Sequence, residues 1–394
     1  MTDTTDLKEL RSYRLGRVRQ KLIEFDMAGI VLFDPVNIRY ATGSSNMQVW
    51  TLHNPSRYAF IAAEGPVILF DYHAAKHLVE GLECLDEYRN ATSWFYFNNG
   101  PRVEEMAKRW ASEIADLIKQ HGGGNHRLAA DRIDPAGVAA LDALGISTHE
   151  GQNIMEQARV LKSAEELEVI RESIRICQMG MDKMRNMLVP GITENELWSH
   201  LHQVNIANGG EWIETRLLTS GPRTNPWFYE CSDRVIEQGD LVSFDTDLIG
   251  KNGYCADISR SWVCGEKKPT DEQRRLYSYA FETIENNVAR LKPGVSFKEF
   301  SSTGGQLPKT MSANRYPCML HGIGLCDEYP FIAYPEDFEY SGFDGYLEAG
   351  MTVCVEAYGG EVGGREGVKL EEQMLITETG AERLSSYLYE TEFL

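Results

Sequence analysis

The sequence lacks the features of a membrane or secreted protein. It contains no run of about 18 apolar residues, the length that a membrane-spanning helix needs. Its first residues, MTDTTDLKELRSYRLGR, include no apolar stretch followed by small residues, as a secretory signal peptide would. The eight cysteines show no spacing typical of a disulfide framework. We therefore expect a cytoplasmic protein with free thiols and no membrane partner.

Basic residues are also scarce. The chain has 39 lysines and arginines against 59 aspartates and glutamates, a formal net charge of -20. A nucleic-acid-binding protein usually carries basic patches that neutralise phosphates, so a nucleic-acid partner is not expected. The 394 residues exceed the roughly 250 to 300 at which one hydrophobic core stops growing. Two domains are therefore predicted.

The first part of the chain alternates helical and strand patterns. An amphipathic stretch from about Asp6 to Asp26 predicts a helix before the strand GIVLF, and RYAFIAAEGPVILF predicts a hairpin around Glu64 and Gly65. Helices are predicted near 101–120 and 135–144, on either side of the strand RLAAD. The segment from His149 to Glu156 is the expected linker. These patterns predict domains at 1–150 and 151–394.

The second part begins helices with capping boxes, in which a serine or threonine is followed three residues later by glutamate or glutamine. Proline-glycine pairs at 190–191 and 293–294 are expected to end two of the helices. The capping pairs are Ser163 with Glu166, Thr193 with Glu196, and Thr270 with Gln273.

Five acidic residues and one histidine stand in four short segments of the C-terminal third, next to or within apolar runs typical of strands. An unpaired carboxylate costs several kcal/mol to bury, so these positions indicate a nearby cation. Carboxylates and one imidazole suit a pair of divalent ions such as Mn, Fe, Co or Zn, whereas a structural zinc site usually has closely spaced Cys and His. The candidate metal ligands are Asp245, Asp247, Asp257, His321, Glu356 and Glu371.

The first two aspartates are alternative main ligands. Asp245 and Asp247 are two residues apart, so on a regular strand they would share a face and both could reach one ion. The sequence does not decide between them.

The motifs around these residues resemble a known family. The segments DLIGKNGYCADISRS, HGIGL, VEAY and GVKLEE occur in the order found in the pita-bread metallohydrolases, which include aminopeptidase P, prolidase and the metal-free creatinase. Near the N-terminus, GIVLFDPVNIRYATGSSN resembles the creatinase-type N-terminal domain of that family. The resemblance implies an α+β protein with a C-terminal pita-bread catalytic domain, preceded by a smaller α/β creatinase-type N-terminal domain.

The chain departs from the peptidases of this family at three positions. Phe228 stands where they carry a histidine that handles protons at the scissile amide. Glu328, with Asp327 beside it, replaces a second histidine, and Lys369 replaces an arginine before the last glutamate. We expect the metal site to be present and the peptide-cleaving machinery to be incomplete.

This combination most resembles the bacterial dimethylsulfoniopropionate lyases of the same fold. That resemblance implies a carbon-sulfur lyase for a small zwitterionic sulfonium substrate, with two divalent ions per chain, iron being favoured and Mn, Zn or Co being alternatives. It also implies a homodimer. Elimination of dimethyl sulfide needs a base for the α-proton but no acid, because the leaving group departs neutral. The alternatives are an Xaa-Pro dipeptidase or aminopeptidase P-like enzyme, a creatinase-like C–N hydrolase, and a non-catalytic binding module.

Two residues are assigned to the proposed elimination. Asp327 is the expected base, with Glu328 as its rival, and Tyr316 could orient the substrate or the base. Aromatic rings bind onium groups through their negative faces, so Trp227 and Tyr229 are candidate substrate contacts. Trp50, in the N-terminal domain, could reach the site of a neighbouring subunit, as the resemblance implies.

Overall fold

The computed structural model describes residues 7–304 and 307–394. The chain forms two compact units, Met1–Arg159 and Val160–Leu394. Asp6, the expected start of the first helix, lies outside the described residues. None of the helices in the described ranges combines the length and apolarity needed to cross a membrane.

The N-terminal unit is one mixed sheet with helices, which agrees with the predicted α/β pattern. Its strand order is β4-β3-β2-β1-β5-β6. The strands are β1 (Gly29–Leu32), β2 (Tyr58–Ala62), β3 (Val67–Asp71), β4 (Glu87–Asn90), β5 (Arg127–Ala130) and β6 (Ser147–Glu150). The helices are α1 (Leu7–Glu24), α2 (Pro35–Thr42), α3 (Gln48–His53), α4 (Tyr96–Asn99), α5 (Val103–His121), α6 (Pro135–Asp142) and α7 (Gln152–Arg159), with short 3-10 turns at Lys76–Val79 and Gly100–Arg102.

The predicted hairpin and helices of this unit are present. Strands β2 and β3 pair antiparallel around the expected turn, with Ile61 opposite Val67. Trp110 and Ile114 of α5 share a buried core with Phe60 of β2. The apolar face of α5 therefore covers the sheet, as its amphipathic pattern predicts.

The expected linker is regular structure. Residues 149–156 fall within β6 and α7, apart from Gly151 between them. Helix α7 packs on α1, where the Arg17 guanidinium donates to the carbonyls of Gln157 and Ala158 at 3.0 and 3.2 Å. The units therefore divide after Arg159, later than the predicted boundary at 150. Sequence patterning missed α7 because that helix is short.

The C-terminal unit contains three sheets, with strand orders β11-β10-β7, β12-β9-β8 and β14-β13-β15-β16-β17. The strands are β7 (Trp212–Ile213), β8 (Leu218–Ser220), β9 (Leu241–Phe244), β10 (Leu248–Ile249), β11 (Cys255–Ala256), β12 (Arg260–Val263), β13 (Leu320–Ile323), β14 (Asp327–Ile332), β15 (Thr352–Gly360), β16 (Gly367–Ile376) and β17 (Ala381–Arg383). The helices are α8 (Ala164–Met187), α9 (Glu194–Ala207), α10 (Asp271–Val288), α11 (Phe297–Thr303) and α12 (Pro335–Ser341), with 3-10 turns at Gly221–Thr224, Lys251–Gly253, Ser312–Asn314 and Thr391–Phe393.

All three predicted capping boxes are confirmed, at the starts of α8, α9 and α10. In the first, Glu166 N donates to Ser163 Oγ at 3.2 Å while Ser163 N donates to Glu166 Oε2 at 2.9 Å. Two otherwise unpaired backbone donors are satisfied in each case. Helices α8 and α10 end before the proline-glycine pairs, as expected.

Strands β15 and β16 are buried at every position, and their two faces differ in chemistry. Val353 and Val355 of β15 and Leu370 of β16 join the core that contains α10. Because side chains alternate between the faces of a strand, the residues in between point away from that core. That second face carries Glu356 and Glu371.

Candidate metal centre

Three strands present polar side chains in register on the second face of the large sheet. Glu356 of β15 lies opposite Glu371 of β16, and His321 of β13 lies opposite Cys354 of β15. Directly opposed residues of antiparallel strands share a face. The histidine and both glutamates predicted as ligands are therefore brought to one surface.

The three aspartates reach this surface from the loops that follow β9 and β11. Strand β9 ends at Phe244, and Asp247 has a φ of 35°, so the expected regular strand through both aspartates is not formed. The turn instead brings Asp247 N to within 3.3 Å of Asp257 Oδ1. Asp245 and Asp257 are each 2% exposed, and Asp247 is 8% exposed.

All six predicted ligands come together in overlapping groups whose ligand atoms lie within 4.8 Å of one another. Each group shares at least one carboxylate with another, as two neighbouring ions would require. The groups are Asp245 with Asp247 and Asp257; Asp245 with Glu356 and Glu371; and Asp257 with His321, Cys354 and Glu371.

Lys369 and Ser259 link the carboxylates. The Lys369 ammonium lies 3.0 Å from Asp245 Oδ2, 2.5 Å from Glu356 Oε2 and 3.3 Å from Glu371 Oε2. The Ser259 hydroxyl lies 2.7 Å from Asp245 Oδ1 and 2.8 Å from Glu371 Oε2. The Ser259 hydroxyl has one proton, so it can donate to only one of these two oxygens at a time.

The His321 ring is oriented by the backbone. Its Nδ1 lies 3.0 Å from the carbonyl of Gly322, which can only accept, so Nδ1 carries the proton of that hydrogen bond. Its Nε2 faces Glu356 Oε1 at 3.2 Å and Glu371 Oε1 at 3.5 Å. Fixing the tautomer in this way leaves Nε2 as the nitrogen that can bind a metal ion.

Burial and mutual repulsion make most of these carboxylates hard to ionise. Burial and the charge of Glu371 raise the pKa of Asp245 to about 6 and that of Glu356 to about 8. Burial raises the pKa of Asp257 well above its ordinary value. Burial acts in the same direction on Glu371, but Lys369 and His321 outweigh it and hold its pKa well below the ordinary range.

A divalent ion fits this set of donors. Five buried carboxylates face one ammonium and one imidazole, an excess of negative charge that a fold rarely buries without a cation. Glu371 Oε1 accepts no hydrogen bond from the described part of the chain, so it keeps a lone pair for an ion. Oxygen ligands with one imidazole suit Mn, Fe, Co or Zn.

Metal uptake should strengthen as the pH rises. Since Glu356 must lose its proton to act as a ligand, its pKa of about 8 means that protons compete with metal below that pH. We expect the apparent Kd for Mn²⁺ to fall by at least ~10-fold between pH 6 and pH 8. Calorimetric titration with Mn²⁺ at three pH values measures this Kd, and an indicator dye detects the protons that are released when the metal binds. An affinity independent of pH would contradict this account of Glu356.

Asp327 and Glu328, the two rival bases, point to different surroundings. The Asp327 side chain is 60% exposed, and its Oδ1 lies 3.7 Å from His321 Nδ1. Desolvation by nearby protein atoms raises the pKa of Asp327, while His321 opposes the shift. Glu328 is buried in an ion pair with Lys162, which is also buried. The geometry therefore leaves Asp327 open to a substrate and engages Glu328 in the fold.

The predicted aromatic contacts are placed as follows. The Tyr316 ring lies 4.4 Å from Lys369 Nζ, and Trp227, 7% exposed, lies 5.9 Å from the same ammonium. Tyr229 faces the Arg223 guanidinium at 5.1 Å. Burial and the Glu356 carboxylate raise the pKa of Tyr316 well above its ordinary value, so its hydroxyl stays protonated and can donate.

Trp50 belongs to the N-terminal unit. It lies in α3, is 38% exposed, and its ring centroid is 6.3 Å from that of Tyr72. Its role toward a neighbouring subunit remains a prediction.

Three residues of the centre were not predicted. Cys354 and Gln373 stand two positions from Glu356 and Glu371 on the same face, and that spacing could have identified them. Gln373 Oε1 accepts from Asp257 N at 3.3 Å. Ser259 follows a loop whose path the sequence does not reveal, so no pattern pointed to it.

Known proteins are similar to this chain over most of its length. Residues 168–378 match metallopeptidase family M24. A dimethylsulfoniopropionate lyase, DddP, from Roseovarius nubinhibens is 43% identical over 390 residues, which cover 98% of this chain and 87% of the relative. DddP from Roseobacter denitrificans is 41% identical over 393 residues, covering 98% and 88%.

Solved structures agree with the fold. An Xaa-Pro dipeptidase from Bacillus anthracis superposes with a TM-score of 0.76 at 21% identity, over 96% of this chain and 99% of that one. Identity this low supports the fold alone. The predicted pita-bread architecture, with its smaller N-terminal domain, is confirmed.

Proposed function

The chain belongs to metallopeptidase family M24, and we propose that it is a metal-dependent lyase that cleaves dimethylsulfoniopropionate to dimethyl sulfide and acrylate. The observation that carries the proposal is a buried cluster of candidate metal ligands with an exposed carboxylate, Asp327, beside its histidine. Relatives named as dimethylsulfoniopropionate lyases, similar over nearly the whole chain, support it.

The elimination requires a base, which we assign to Asp327. Its carboxylate takes a proton from the α-carbon, the electron pair forms the Cα–Cβ double bond, and the Cβ–S bond breaks. Dimethyl sulfide leaves neutral with the bonding electrons, and acrylate remains. A base with a pKa above the ordinary carboxyl range is better matched to this task.

The centre holds the substrate for this step. Asp245 or Asp247, with Asp257, His321, Glu356 and Glu371, would hold two divalent ions, and iron is our first choice by resemblance. When bound, such ions supply a Lewis acid for the substrate carboxylate and for the negative charge that develops at the α-carbon. The Tyr316 hydroxyl, which stays protonated, can donate to the same carboxylate.

Lys162 explains why Glu328 is not the base in this scheme. A carboxylate that gives up a buried ion pair leaves an unpaired ammonium behind, which costs several kcal/mol. Glu328 would have to break its contact with Lys162 at each turnover. Asp327 meets no such cost.

The alternative is an Xaa-Pro dipeptidase, which the family and the fold of the solved relatives favour. Phe228 stands where those peptidases carry a histidine, and its ring has no proton to give. A peptidase must protonate the leaving amine, whereas elimination of dimethyl sulfide needs no acid.

The metal-loaded protein should therefore release dimethyl sulfide from dimethylsulfoniopropionate and leave Xaa-Pro dipeptides intact. Gas chromatography of the headspace and an amine assay measure the two reactions side by side. Phe228→His alone should not create an efficient peptidase, because Glu328 and Lys369 also depart from the peptidase pattern. Efficient dipeptide turnover by the wild-type protein, without dimethyl sulfide, would establish the alternative.

A further inference from the structure

Phe228 has a backbone conformation that a large side chain rarely adopts. Its φ is 77°, in the left-handed region that favours glycine. The residue is nevertheless 55% exposed, so packing in a core does not account for the conformation. Strained residues of this kind cluster at ligand-binding sites, where the strain presents a side chain in a fixed direction.

The direction of the Phe228 ring connects it to the metal centre. Its ring stacks on Tyr316, with centroids 5.8 Å apart and an interplanar angle of 26°. Tyr316 in turn lies over the Lys369 ammonium, which contacts Glu356 and Glu371. Phe228 is therefore the outer, exposed end of a row of contacts that begins at the ligands.

The two neighbouring rings already face cations of the protein. Trp227 is buried near Lys369, and Tyr229 lies over Arg223. No cation of the described ranges faces Phe228, so its ring keeps an accessible face. Trp227 is 7% exposed and Tyr229, although 49% exposed, has its ring occupied by Arg223, whereas Phe228 is 55% exposed.

We propose that Phe228 and Tyr316 form an onium-binding subsite, in which the methyl groups of a sulfonium or quaternary ammonium pack on the open face of Phe228. The inference deepens the proposed function and rests on it for the identity of the substrate. The negative face of an aromatic ring attracts a cation whose charge is spread over methyl groups.

A phenylalanine suits an onium-binding position better than a side chain that can titrate. An imidazole can take up a proton, and the resulting charge would repel an onium group. Phenylalanine remains neutral at every pH. The Phe228 ring therefore offers a permanent cation a surface that cannot become positively charged.

The test compares, on matched variants, a ligand with a cationic end and a ligand with a neutral end. Phe228→Leu keeps an apolar side chain but loses the ring face, and Phe228→Tyr keeps the face. The probes are 3-(trimethylammonio)propanoate, which has a cationic end, and 3-(methylthio)propanoate, which has the same carboxylate but a neutral thioether end, each titrated by calorimetry into the Mn²⁺-loaded full chain. Tyr340→Leu, at a residue that is 96% exposed on α12, is the control for removing an aromatic ring elsewhere.

For Phe228→Leu we expect the Kd of the ammonium probe to rise about 3- to 30-fold, with little change for the thioether. Phe228→Tyr and Tyr340→Leu should bind like the wild type. With dimethylsulfoniopropionate as substrate, KM should rise in the same proportion while kcat changes little. Thermal melts confirm that each variant is folded.

The outcomes separate this inference from the proposed function. Equal weakening of both probes in Phe228→Leu, or no weakening, would overturn the subsite even if dimethyl sulfide is produced. Selective binding of the ammonium probe that is lost in Phe228→Leu supports the subsite even if the wild type produces no dimethyl sulfide. A wild-type protein that binds neither probe would overturn the subsite.

Discussion

Replacing Asp327 with asparagine should lower kcat for the release of dimethyl sulfide by about 10²- to 10⁴-fold while leaving the metal content unchanged. Asparagine has nearly the same shape as aspartate but cannot accept a proton at neutral pH. Because Asp327 is 60% exposed and belongs to none of the three ligand groups, the substitution should not disturb the centre. Metal analysis and steady-state kinetics measure the two effects together.

The matched control for this variant is Glu328→Gln. It breaks the buried pair with Lys162, so it should lower the melting temperature more than Asp327→Asn does. Its effect on kcat should be much smaller once the protein is folded. Loss of metal in Asp327→Asn would instead make Asp327 a ligand, and normal turnover in that variant would exclude it as the base.

Replacing Asp257, His321 or Glu371 with alanine should abolish activity together with metal binding. Each of these side chains belongs to the group that also contains Cys354, and Glu371 and Asp257 each belong to two groups. Removing one ligand opens a coordination position and leaves the other buried carboxylates without their cation. We expect about two divalent ions per chain in the wild type at saturation and fewer than one in Glu371→Ala.

Glu378→Ala provides the control for this series. It removes one carboxylate from an exposed position just beyond β16. The net charge therefore changes by the same amount as in Asp257→Ala and Glu371→Ala, while the centre keeps all its side chains. Its metal content and turnover should equal those of the wild type. Full occupancy and full turnover in Glu371→Ala would falsify the assignment of the centre.

The sequence predicted the cluster of candidate ligands because buried carboxylates are costly without a nearby cation. Acidic residues such as Glu356 and Glu371 stand inside apolar strands, and a sheet with alternating faces brings them together without further information. The capping boxes were predictable for a similar reason, since their hydrogen bonds are local. Local patterns therefore predicted most of the fold and the six candidate ligands that the structure brings together.

The remaining features depend on where distant segments meet. The ion pair between Glu328 and Lys162 joins residues far apart in the chain, so no local sequence pattern predicts it. Ser259 reaches two carboxylates only because the loop after β11 turns toward β16. The positive φ of Asp247 and Phe228 is likewise set by tertiary contacts rather than by residue type.

The alternating faces of β15 and β16 restrict how the length of this hairpin can change during evolution. Inserting one residue near the start of β15 would reverse the side-chain directions of the residues that follow, so that Glu356 would face α10 and a valine would face the other candidate ligands. Two inserted residues would restore the side-chain directions, but Glu356 would no longer lie opposite Glu371. Insertions and deletions are therefore expected in the turn at 361–366, and substitutions without length change within the strands.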